Sequence, residues 1–139
     1  MLTKLQILGW EIEFDKDVTA QAYSGLSVSC DCAYCRNFLA TWHNLPKDCL
    51  EFLNQLGIDP AIPAEIVEYN ENRDGTHYYG WWYHLVGRLT KENESVGKFN
   101  SEVDILIRNR RDVAPSDFPH PSIQIEFFSN LPWVLEEKP

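Results

Sequence analysis

Asn72-Arg73-Asp74-Gly75-Thr76-His77-Tyr78-Tyr79-Gly80-Trp81-Trp82-Tyr83-His84-Leu85-Val86-Gly87 is the stretch that decides the fold. Asp-Gly is the strongest short signal for a β-hairpin, because both residues tolerate the positive φ of a tight turn. The run after it is aromatic and branched, the composition of a strand used on both faces. Tyr79, Trp81, Tyr83 and Leu85 share one side, and Tyr78, Trp82 and His84 the other. The spacing therefore predicts a hairpin of Ile66 to Arg73 with Thr76 to Leu89. One face should pack on helices. The second is either covered too or forms a platform on which a ring or peptide stacks. Gly80 would leave a gap there for a ligand or another backbone.

Upstream, Trp10, Ile12 and Phe14 alternate with Glu11 and Glu13, so Leu5 to Phe14 reads as a half-buried strand ending at Asp15-Lys16-Asp17. A second strand fits Tyr23 to Cys30, with Leu26, Val28 and Cys30 on one face. From Ala33 to about Asn44 the chain lacks Gly and Pro, and Cys35, Phe38, Leu39 and Trp42 form a helical stripe. Asp31 or Ser29 would cap that helix. Pro46 opens and Gly57 closes a second helix carrying Cys49, Phe52, Leu53 and Leu56. Ile58 to Pro63 is an extended connector. Downstream, Glu102 to Arg108 and Ser122 to Phe128 read as strands, separated by a proline-bearing loop from Asn109 to Pro121. The sum is an α+β fold: a mainly antiparallel sheet of about six strands, with a helical hairpin inserted after strand two.

The chain has 139 residues, 44% hydrophobic and 24% charged, which fits one globular domain over 1–139. Twelve Lys and Arg stand against 21 Asp and Glu, a formal net charge of −9. That balance argues against nucleic acid as a partner. Arg108, Arg110 and Arg111 read as a solvated loop, offset by Asp112 and Asp117. An acidic surface would suit a basic protein partner, though charge alone names none. No apolar run is long enough for a membrane span. Met1 to Trp10 passes quickly into Glu11 and Glu13, unlike an export signal, so a cytoplasmic location is expected.

Cys30-Asp31-Cys32-Ala33-Tyr34-Cys35 places three thiols at the start of the first predicted helix. Zinc takes soft ligands in tetrahedral geometry, and Cys-x-x-Cys supplies two of them from one turn. Cys30 would be the third, and a fourth would come from His77, His84, His120 or water. Alternatively, Cys32 and Cys35 form a redox pair, since a helix N-terminus stabilises a thiolate. The surrounding pattern, however, lacks the βαβ alternation of the familiar redox fold. A third reading makes the cysteines small core residues, and it is the preferred one both for Cys49 and for the trio of Cys30, Cys32 and Cys35.

Cys30-x-Cys32-x-x-Cys35-Arg36-Asn37-Phe38, with Leu56-Gly57-Ile58-Asp59-Pro60 and Tyr79-Gly80-Trp81, resembles a group of small bacterial proteins of unknown function. The resemblance spans roughly residues 28 to 90. It implies a bacterial, cytoplasmic protein and carries over no activity or site.

Elsewhere, Glu65, Glu68 and Glu71 match a solvated strand edge. Phosphate-binding loops, zinc-protease helices and nucleophile elbows are absent from the sequence. The sequence thus favours a ligand- or protein-binding domain without catalysis of its own. Arg36, Trp82 and His84 are its candidate ligand contacts. The rival is a zinc or thiol-redox protein built on Cys30, Cys32 and Cys35. An exposed aromatic face would equally serve a homodimer.

Overall fold

The computed structural model describes residues 2–139. The decisive hairpin forms as β3 (Glu65–Glu71) and β4 (His77–Lys91). Its loop is longer than a two-residue turn: Asn72 N–H donates to Thr76 O at 2.7 Å, and Gly75 takes φ +87°. Asp74 Oδ1 accepts from Thr76 N–H at 3.0 Å and from its hydroxyl at 2.6 Å.

Strand β4 is the spine of a seven-stranded sheet. Its partner on one side, along residues 77–86, is β7 (Ser122–Leu131), followed outward by β6 (Asp104–Arg108) and the short β5 (Gly97–Lys98). Its other edge is shared. Strand β3 pairs with residues 77–82, and β2 (Trp10–Phe14) with residues 87–91. Beyond β2 lies β1 (Thr3–Ile7). Every pairing is antiparallel.

Two expectations about the N-terminal third are corrected. Leu5 to Phe14 is not one strand: β1 and β2 fold back on each other through Leu8 (φ 48°) and Gly9 (φ 91°). Two successive positive φ values give the turn whose twist suits a hairpin. Leucine rarely adopts that conformation, which hid the reversal behind a clean alternation. Nor is Tyr23 to Cys30 a strand. Asp15 is the N-cap of a helix, α1 (Lys16–Ser24), its carboxylate accepting from Val18 N–H at 3.0 Å. The residues from Leu26 to Cys32 then run outside any strand or helix.

Helix α1 solves a problem of the shared edge. Where β3 stops and β2 has not begun, the backbone of β4 would lack partners, and a buried unpaired amide costs roughly 1–3 kcal/mol. Tyr23 hydroxyl accepts from His84 N–H at 2.9 Å and donates to His84 O at 3.0 Å. Thr19 Oγ1 accepts from Val86 N–H at 3.1 Å, and Asp15 N–H donates to Val86 O at 2.9 Å. Side chains of one helix thus stand in for a missing strand.

The expected pair of helices is present as α2 (Ala33–Thr41), extended by a 3-10 turn at Trp42–Asn44, and α3 (Lys47–Leu56). It follows β2 and α1, so the described residues hold three α-helices. Gly57 closes α3 at φ 81°. The core lies between the helices and the first face of the sheet. Phe38 packs on Trp81 at 5.3 Å and Tyr79 at 6.4 Å between ring centroids, and Phe52 on Phe127 at 6.4 Å. Tyr79, Trp81, Tyr83 and Leu85 are fully buried.

The second face is mixed. Tyr78 and Trp82 are half-buried, whereas His84 is buried. The expected gap at Gly80 is filled from within, since a Cβ there would lie 2.9 Å from the Tyr69 ring. The basic knot is not a solvated loop either. Arg108 Nε meets the buried carboxylate of Glu126 at 2.8 Å. Arg111 pins the 109–121 loop, donating to Phe118 O at 2.9 Å, Pro119 O at 3.0 Å and the Ser122 hydroxyl. Only Arg110 stays local, with Asp112 at 3.1 Å. No helix is long and apolar enough to cross a membrane among the described residues.

Candidate metal centre and adjoining cavity

Helix α2 sets the positions of Cys32 and Cys35, and several hydrogen bonds dock it. Buried Asn37 donates to Pro132 O at 3.0 Å and accepts from Val134 N–H at 2.8 Å. Tyr79 hydroxyl donates to Tyr34 O at 2.9 Å. The N-cap is Cys32, in place of the Asp31 or Ser29 that the sequence suggested.

The sulfur atoms of Cys30, Cys32 and Cys35 all lie within 4.8 Å of one another, with Cys30 and Cys32 at 3.4 Å. All three are free thiols, as a disulfide would need about 2.05 Å. Four sulfurs around zinc at about 2.3 Å stand about 3.8 Å apart, so the cluster needs only small side-chain movements to share one ion. Cys30 and Cys32 are exposed and Cys35 is buried. Cys49 is therefore a core residue, Cys35 is buried but faces its two thiol neighbours and the cavity, and the core reading fails for the exposed Cys30 and Cys32. Cys30 sits on a loop and continues no strand face.

The thiols differ electrostatically. Cys32 is held below the usual thiol range, chiefly by the backbone N–H of Cys35 in the first helical turn, with the hydrogen bond from Cys30 adding to it. Cys35 is pushed up by burial and by its two thiol neighbours. Burial pushes Cys49 up to about 12. A metal ion would reverse the penalty at Cys35, since coordination deprotonates a thiol outright.

No fourth His, Cys, Asp or Glu joins the cluster among the described residues. Of the histidines considered for that place, His77 is engaged elsewhere. It is buried, with Nδ1 at 2.7 Å from Glu68 Oε2 and its ring 4.9 Å from that of Trp133. Were the trio to hold an ion, water or a ligand would have to fill a fourth coordination position.

A cavity of about 340 Å³ adjoins the cluster. Cys30 and Cys35 line it, together with His84, Glu65 and the apolar side chains of Val28 and Val113. His84 is 1% exposed. Burial, and secondarily the Arg111 charge, pushes its imidazole down to about 4, so the ring is neutral at pH 7. Gln124 faces it from β7, and the side-chain hydrogen bond between the two favours the charged form without offsetting burial.

The three candidate ligand contacts are not gathered in one place. His84 lines the cavity, whereas Trp82 and Arg36 do not. Trp82 lies across from Glu65 and Glu126 on the second face, its Nε1 without a partner. Arg36 donates to Asp31 O at 3.1 Å and pairs with the Glu137 carboxylate. Val28 and Val113 lie on connecting segments and Glu65 opens β3, so no local spacing foretells that the three line one cavity. No family model matches the chain, and no match is found among curated proteins or solved structures.

Proposed function

We propose that this protein is a small binding domain whose centre is a three-thiolate metal site, with zinc as the ion and Cys30, Cys32 and Cys35 as its ligands. The observation that carries the reading is the mutual approach of the three sulfurs, none more than 4.8 Å from another. Three protein ligands with one open position is the arrangement of zinc sites that engage an exogenous group, whereas closed structural sites use four. Soft thiolates favour zinc or copper(I) over magnesium or calcium.

The test is zinc binding to the reduced protein in competition with a chromogenic chelator. One equivalent should bind, and zinc should protect the thiols of Cys30 and Cys32 from alkylation. Cys32→Ser should weaken binding at least tenfold. No uptake, with Cys30 and Cys32 alkylated equally fast with and without zinc, would overturn the assignment. A thiol–disulfide pair is the second reading, favoured by the contrast between exposed, acidified Cys32 and buried Cys35. It predicts a Cys32–Cys35 disulfide in peptide maps after equilibration with oxidised glutathione.

A further inference from the structure

We propose that the 340 Å³ cavity is a pocket for a small uncharged azole with an apolar body, whose ring nitrogen takes the fourth position on the metal. The inference rests on the three-thiolate reading and adds the class of ligand that completes it. Two of the three thiol residues, Cys30 and Cys35, line the cavity, so a ligand held there adjoins the ion. The volume lies at the small end of the roughly 300–1,000 Å³ typical of ligand pockets.

The chemistry narrows the class. Three thiolates around a divalent ion leave one net negative charge, and the chain itself carries −9. An anionic fourth ligand adds charge to a site already negative, while a neutral nitrogen donor adds none. Imidazole-type nitrogens suit zinc. The wall is mixed: Leu26, Val28, Val113 and Phe118 give an apolar patch for the ligand's body, beside Ser29 and Glu65. Buried His84 lines the same cavity as a neutral imidazole, so it adds no charge of its own to the ligand's surroundings.

The test uses the cobalt(II)-substituted protein, whose d–d absorption reports the ion's ligands, with 4-phenylimidazole as probe. The bands should shift saturably at one equivalent, and unsubstituted imidazole should bind at least tenfold more weakly. Ala64→Trp and Val113→Trp, each filling the cavity from a non-thiol wall, should keep the cobalt spectrum and lose the response. Their circular dichroism and unfolding midpoint verify the fold. Cobalt bands that 4-phenylimidazole leaves unmoved would overturn the pocket while leaving the metal site standing. So would equal affinity for the two imidazoles, or cavity-filled variants that respond like the parent. Failure of the parent protein to bind cobalt or zinc at all would instead overturn the metal reading, and the pocket with it.

Discussion

Tyr23 shows how much one hydroxyl carries. It satisfies both the N–H and the C=O of His84 at a stretch of β4 that neither β3 nor β2 reaches. Tyr23→Phe removes the bonding oxygen and keeps the ring that packs on Phe118 at 6.1 Å. It leaves two backbone groups unpaired, so unfolding in urea should show a loss of about 2–3 kcal/mol with little change in slope. His84 itself predicts a pH dependence. Its folded-state pKa of about 4 lies below the ordinary 6.5, so the unfolded chain binds the extra proton between those values. Stability from this group is complete above pH 6.5 and is lost as pH falls towards 4, by a total on the order of 3 kcal/mol. The facing charges are Arg111 and Asp112, and His84→Gln should flatten the profile in that window relative to the parent protein. Neither role was legible beforehand. A tyrosine that replaces a strand leaves no periodic trace, and burial of one histidine depends on a loop remote in sequence.

At the scale of elements, what could be read followed the strength of the local signal. The α2–α3 pair was legible because apolar stripes, Pro46 and Gly57 agree, as local and global preferences should in a foldable sequence. Gly57 has a second role that the sequence did not reveal. A Cβ there would lie 2.4 Å from Lys16 O, where the end of α3 meets the start of α1. Gly57→Ala should therefore cost more than about 1 kcal/mol in chemical denaturation, since positive φ and a backbone clash act together. Helix α1 was misread because its buried side is narrow, Thr19 and Tyr23 being the only fully buried positions. The β1–β2 turn was misread because Leu8 occupies a left-handed position. Leu8→Asn should raise stability by up to about 1 kcal/mol, read as a higher unfolding midpoint, because asparagine tolerates that conformation.

Across the whole molecule, a single antiparallel sheet divides two kinds of chemistry. One face is a dry aromatic core under α2 and α3. The other carries half-buried aromatics, the Arg108–Glu126 pair and the His84 end of the cavity. The thiols sit at the start of α2, and the 26–32 segment brings Cys30 back to Cys32 and Cys35. The cysteine spacing announced the thiol cluster from the sequence. A pocket where the aromatic hairpin meets the start of α2 was to be expected, but its lining was not legible, because the 26–30, 62–66 and 113–118 segments are far apart in sequence. Trp82 and Arg36, the other candidates, have the right residue types, yet an aromatic on a strand or an arginine after a thiol carries no information about distance.

The claim that joins these scales is that Cys30, Cys32 and Cys35 bind one ion and leave a fourth position open. X-ray absorption at the zinc edge of the metal-loaded protein tests it directly. Three sulfur neighbours at about 2.3 Å with one nitrogen or oxygen at about 2.0–2.2 Å is the predicted shell. A shell of nitrogen and oxygen alone, or four sulfurs, would contradict it.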